Sequence, residues 1–208
     1  MSRITVLGLQ GSGKSYLTEH GFIAQQPNHL IIDIMREYPD KYHSYEPKYL
    51  DNPDKLKEEI SLIIKKLIIK NCVALEDKNT DKTEKKRLKL VVFEEADLYN
   101  PSSERVASGM RSLIVQSRHL QLDMVFVSRR PSDLSAYLMD TSDYLIIGKQ
   151  VGANALKIIN NLNSQASARL KKLNYDNHEF LLLDRNREIS VITAEDTDIL
   201  KSLLSNKA

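Results

Sequence analysis

The sequence predicts an α/β protein with a mainly parallel central sheet flanked by helices, and three observations predict it. Short β-branched runs at residues 3–7, 29–35, 88–93, 123–127 and 144–148 alternate with longer stretches of helical spacing, the pattern of βαβ units with right-handed crossovers. The first run leads directly into a glycine-rich turn and a helix start. The last part of the chain, with residues 180–183 and 189–192 as paired short strands and a helix from Asp196, reads as a β-hairpin and closing helix.

The turn after the first strand carries Gly8, four residues, then Gly13-Lys14-Ser15, which is the phosphate-binding loop pattern. Gly8, Gln10, Gly11, Ser12, Gly13, Lys14, Ser15 and Tyr16 are therefore the nucleotide-binding candidates. In this pattern backbone N–H groups wrap the phosphates, the lysine reaches the β- and γ-phosphates and the serine hydroxyl ligates Mg²⁺. ATP and Mg²⁺ are the expected ligands, and a P-loop NTPase with a RecA-like core is the expected fold.

Composition bounds the reading. With 208 residues, 41% hydrophobic and 28% charged, one sizeable core is affordable and residues 1–208 are expected to form a single domain. A net charge of +2 is too small to argue for nucleic acid by itself. The single cysteine, Cys72, excludes an internal disulfide framework and fits a reducing compartment. Residues 60–69 are interrupted by Lys65 and Lys66, so no apolar run reaches membrane-spanning length and a soluble protein is expected.

Taken in order, the helix after the loop should run from Ser15 to about Ala24 and stop at Gln25-Gln26-Pro27-Asn28. Residues 36–49 hold four tyrosines and three basic side chains, and the prolines at 39 and 47 exclude a regular helix. Asn52-Pro53-Asp54 opens a helix in which Leu56, Ile60, Ile63, Ile64, Leu67 and Ile68 recur on one face. Residues 76–87 carry almost no apolar side chain and read most plainly as a surface loop.

The strand at 88–93 delivers Glu94 and Glu95 to its carboxyl end, the edge where open α/β sheets bind ligands. Two acids there call for a cation, and a magnesium nucleotide on the first strand's loop supplies one. Glu94 is assigned to the metal, through water, and Glu95 to positioning or deprotonating the attacking water. A helix start with acids on its dipole is the plainer alternative. A helix over about 103–120 carries Arg105, Arg111 and Arg118, and the next strand ends in Ser128-Arg129-Arg130-Pro131, which places cations beside the expected γ-phosphate.

These residues resemble the FtsK/HerA superfamily of DNA-pumping ATPases. The likeness rests on the phosphate loop, the strand ending in Glu94-Glu95, Ser117-Arg118, the run from Val127 through Arg130-Pro131 to Leu134, and the closing stretch at 173–183, and it extends over nearly the whole chain. It implies a homo-oligomeric ring, hexameric or similar, that translocates double-stranded DNA with nucleotide bound between neighbours. It further implies catalytic roles for Lys14, Glu95, Arg118 and Arg130, with Arg118 acting on the γ-phosphate in cis or in trans. Two departures stand out: the first acid is usually aspartate where this chain has Glu94, and a glutamine usually precedes the Arg-Pro pair where this chain has Arg129.

Because the chain is nearly bare core, the resemblance points first to the minimal genome-packaging ATPases of double-stranded DNA viruses. That implies a location in the host cytoplasm or the virion, with a capsid or membrane-vertex protein as further partner. Other readings are a HerA-like translocase paired with a repair nuclease, an assembly ATPase resembling zonular occludens toxin, and a small-molecule kinase. For the DNA contact, the basic stretch with Lys82, Lys85, Lys86, Arg87 and Lys89 ranks ahead of the tyrosine-rich segment at 36–49.

Overall fold

The computed structural model describes residues 1–76 and 87–205. Alternation along the strands builds the layers. In β5 (Asp123–Ser128), Met124 and Phe126 enter one hydrophobic cluster while Val125 and Val127 enter the other. The same period of two recurs in β1 (Arg3–Leu7), β4 (Leu90–Phe93) and β6 (Tyr144–Ile147), so each of these strands is covered on both faces. With β2 (His29–Ile32), β3 (Ser44–Tyr45), β7 (Glu179–Leu183) and β8 (Ile189–Thr193), the described strands form one sheet in the order β3-β2-β4-β5-β1-β6-β7-β8. Pairings from β3 to β6 are parallel, and β7 and β8 add on antiparallel.

One face is covered by α1 (Lys14–Thr18), which continues as a π-turn over Glu19–Ile23, and by α7 (Thr197–Ser205); Leu17, Phe22, Ile23 and Leu200 pack there on Ile4 and Val6. The other face carries α2 (Pro53–Glu76), α3 (Ser108–Leu120), α4 (Ala136–Thr141), α5 (Ala153–Leu162) and α6 (Ala166–Leu170). Leu56, Ile60, Ile64 and Leu67 of α2 and Met110, Leu113 and Ile114 of α3 fill that layer, on the helical spacing seen in the sequence.

Four local features differ from the sequence reading. The first helix ends in π geometry, with Ala24 N donating to Glu19 O at 2.8 Å. Within 36–49 the chain adds β3 at the sheet edge, where two residues are too few to show a period. Helix α3 starts at Ser108, not near 103, because Pro101 bridges to Leu134 and Ser102 N donates to Asp133 O at 2.8 Å; Arg105 therefore lies in the preceding loop. Six-residue α4 was not foreseen, again for want of length.

Arg87, expected with Lys85 and Lys86 to face DNA, is only 9% exposed and donates from Nη1 to Gln121 Oε1 at 2.8 Å. It anchors the chain instead. Lys82, Lys85 and Lys86 lie outside the described residues. A second anchor is the buried Asn71, whose Nδ2 donates to Leu88 O at 3.0 Å and whose Oδ1 accepts from Leu88 N at 3.2 Å. Asn71→Ala leaves both backbone groups of Leu88 without that partner, so unfolding in urea should show a stability loss of about 2–4 kcal/mol at unchanged m. A loss within error would mean that water replaces the amide.

Candidate nucleotide site

The phosphate loop is held from several directions. β1 ends at Leu7; Gly8 N donates to Ser128 O at 3.2 Å, Leu9 N to Lys149 O at 3.1 Å and Ser12 N to Leu9 O at 3.1 Å. Gly8 is required by space, since a Cβ there would stand 2.4 Å from Ser12 Oγ. Gly13 is required by backbone, at φ 85°, and a Cβ on it would meet His178 Nδ1 at 3.0 Å. Ser12 Oγ is buried without a hydrogen-bond partner, an unmet polar group beside the loop.

The sheet order decides what faces this loop. β5 lies between β1 and β4, with Leu7 opposite Ser128 and Phe93 opposite Phe126. The residues after all three strands therefore emerge at one carboxyl edge. They border a cavity of about 410 Å³ lined by Gln10, Gly11, Ser12, Gly13, Lys14, Ser15, Tyr16, Met35, Glu37, Glu95 and Arg129. A larger cavity of about 650 Å³ between α2 and β3, lined by Tyr45, Lys48, Leu62 and Leu67 among others, includes none of the loop.

Glu95 takes a left-handed backbone, φ 44° and ψ 50°, which an L-residue adopts at a cost of about 1–2 kcal/mol. Its carboxylate accepts from Arg129 Nε at 3.2 Å. Burial raises its pKa and Arg129 opposes the rise. Glu94 lies behind it, 3% exposed, accepting from the Tyr38 hydroxyl at 2.5 Å and from Glu95 N at 3.3 Å. Ser15 Oγ donates to Glu37 Oε2 at 2.5 Å. The oxygen set of Ser15, Glu37 and Glu94 has the hard-donor chemistry that suits Mg²⁺.

Sequence reading missed Glu37 and Tyr38. Both are brought in by Asp33, at the end of β2, whose carboxylate accepts from Glu37 N at 3.2 Å and Tyr38 N at 3.3 Å. The available signal was the position of Asp33 at the carboxyl end of a core strand, the same rule that singled out Glu94. Three of the four tyrosines of this segment serve the domain: Tyr38 bonds Glu94, Tyr42 meets the His29 ring, and Tyr45 donates to Glu59 at 2.5 Å, while Tyr49 is exposed. Tyr16 lies half exposed on the cavity wall, its ring 4.2 Å from that of His20.

The arginines divide. Arg129 lines the cavity; Arg130 is exposed and outside its lining; Arg111 lies over the Tyr137 ring at 5.7 Å. Arg118 lines a separate cavity of about 520 Å³ with Arg3, Asp143 and Arg185, at the edge where β1 begins. One strand length, about 15 Å, separates that edge from the phosphate loop. Arg118 is therefore remote from the loop of its own chain.

By sequence the chain matches no family description and no curated protein. By structure it is similar to the genome packaging NTPase B204 of Sulfolobus turreted icosahedral virus 2, in the complexes with AMPPCP and with ATP-gammaS. In each the TM-score is 0.68 at 19% identity, covering 91% of this chain and 96% of that one. The fold is that of a P-loop NTPase. The DNA-packaging ATPase B204 of Sulfolobus turreted icosahedral virus gives a TM-score of 0.67 at 19% identity over the same shares. No helix among the described residues is long and apolar enough to cross a membrane.

Burial pushes the Glu94 carboxyl up to about 7, against the opposing pull of the Tyr38 hydrogen bond. Between its ordinary value of 4.5 and about 7 the folded, nucleotide-free protein holds a proton that the unfolded chain has released, so stability falls as pH rises through that window. Glu94→Gln removes this titration. Without nucleotide, its urea stability relative to the unsubstituted protein should rise by about 2–3 kcal/mol between pH 4.5 and pH 8. A pH-independent difference would place the Glu94 pKa at its ordinary value.

Proposed function

We propose that the chain is an ATPase that translocates double-stranded DNA, with viral genome packaging as its task, and that it works as a homo-oligomeric ring. The observation that carries the ATPase reading is the convergence of Lys14, Ser15, Glu95 and Arg129 on one cavity, with Glu94 directly behind. The similarity to B204, a packaging NTPase of nearly the same extent, favours packaging among the tasks a P-loop motor performs.

Each residue has a chemical part in this reading. Backbone N–H groups of the loop and the Lys14 ammonium bind the β- and γ-phosphates, which is where charge must be met as the γ-phosphoryl leaves. Mg²⁺, held by Ser15 and through water by Glu94, would neutralise charge on the same phosphates. Glu95 orients the attacking water and accepts its proton; the burial that raises its pKa moves it toward the range useful for a general base. The Tyr38 hydroxyl fixes the Glu94 carboxylate, and Asp33 fixes the turn that carries Tyr38.

The ring reading accounts for Arg118. Remote from its own phosphate loop, it would serve a neighbour's γ-phosphate and so couple hydrolysis to the position of the adjoining subunit. Double-stranded DNA would be held through its phosphates, by cationic groups that include the basic stretch before Arg87.

The decisive assay is ATP hydrolysis with and without double-stranded DNA, alongside the mass of the assembly. A motor shows DNA stimulation that weakens with salt and a multimeric mass; a kinase or an inert binder shows neither. Within the site, Glu95→Gln should retain ATP binding while kcat falls by about 10²–10⁴-fold, whereas Lys14→Ala should lose binding and turnover together. Equal loss of affinity in both would refute this division of roles. For the trans arrangement, Lys14→Ala and Arg118→Ala subunits, each inactive alone, should regain partial activity when mixed. No recovery at any ratio would leave Arg118 a structural residue.

A further inference from the structure

Arg129 stands where the resemblance implies a glutamine, and its surroundings give it a role of its own. Its backbone is fixed on three sides: Gln150 Nε2 donates to Arg129 O at 2.9 Å, while the preceding Ser128 accepts from Gly8 N at its carbonyl and donates from Oγ to Asp97 Oδ1 at 2.6 Å. The side chain is not fixed in that way. It is 51% exposed, reaches over the phosphate cavity, and holds Glu95 Oε1 through Nε at 3.2 Å. Glu95, by contrast, is 10% exposed at its side chain and constrained by its left-handed backbone. When this pair separates, the arginine is the partner that moves.

The contact has a chemical consequence. A carboxylate held by a guanidinium has one oxygen already engaged, so it is less free to align an attacking water. A half-exposed ion pair is also weak, because water screens it and the long side chain loses freedom in making it. A γ-phosphate bound near Lys14 in the same cavity offers Arg129 a denser negative charge and a geometry that accepts its planar fork. A diphosphate lacks that group.

We propose that Arg129 is a γ-phosphate-responsive latch on Glu95: it holds the carboxylate in the nucleotide-free protein and releases it when a nucleoside triphosphate draws the guanidinium away. The inference rests on the reading of the cavity as a nucleotide site and of Glu95 as the residue that orients water. It makes hydrolytic competence conditional on the triphosphate, so that a subunit holding ADP keeps its base closed.

The test is the affinity of the full chain for ATP-gammaS and for ADP, measured by titration calorimetry with magnesium present. Arg129→Gln should reduce the preference for ATP-gammaS over ADP by about tenfold or more while ADP affinity stays within about threefold. Arg129→Lys, which keeps the charge without the fork, should restore part of that preference. Glu95→Gln, which removes the competing carboxylate charge, should tighten ATP-gammaS binding severalfold and leave ADP unchanged. The Arg129 side chain is half exposed, so both Arg129 variants should melt with the unsubstituted protein. If Arg129→Gln weakens both nucleotides alike, or Glu95→Gln leaves ATP-gammaS unchanged, Arg129 is only a counter-charge and the latch is refuted. An unsubstituted protein that binds neither nucleotide overturns the nucleotide reading, and the latch with it.

Discussion

The parallel pairing of β5 with β1 on one side and β4 on the other is the constraint on which the site depends. Hydrogen-bonded strands stand about 4.8 Å apart, so inserting one strand sets the phosphate loop and the acid pair about 10 Å from each other. That gap leaves room for a phosphate chain and a water between them. It also places the residues after β5 in the middle, which is why Arg129 reaches both the loop cavity and Glu95. Register matters as much as order: one residue of slip in either ladder would turn the strand's side chains to the opposite faces and shift these ends out of line.

The electrostatics follow from that placement. Asp33, Glu37, Glu94, Glu95 and Asp97 gather near one edge, and burial raises the pKa values of Glu94 and Glu95. The protein meets part of this demand internally, through the Tyr38 hydroxyl, the Asp33-centred turn and the Arg129 guanidinium. In the proposed function, the magnesium of a bound polyphosphate would meet the remaining acids while its phosphates would meet Lys14 and the loop. The opposite edge has a different character, with Arg3, Arg118 and Arg185 around Asp143. A neighbour's phosphates would find cations there.

The phosphate loop, the acid pair and most strands were legible in the sequence because each is written in local terms: glycines at set intervals, or apolar runs ending in acids. The features that were missed have two causes. β3 and α4 are too short to express a period. The late start of α3 reflects the tie from Pro101 to Leu134, made across thirty-three residues of chain. Arg87 looked like one more cation in a basic run, yet it folds back onto Gln121. For α3 and Arg87 a contact distant in sequence overrode a local preference.

The same division holds for function. From its residue pattern alone the chain determined that it has a phosphate loop on a parallel sheet, with Glu94 and Glu95 at the end of a core strand, because a turn's backbone needs and a strand's burial are set by neighbours in sequence. Only the tertiary structure decided that Glu37 touches Ser15, that Tyr38 holds Glu94, that Arg129 rather than Arg130 lines the cavity, and that Arg118 lies at the far edge. The reason is physical. Sheet order and crossover paths bring together side chains tens of residues apart, and no local spacing records which of several arginines the fold will turn inward.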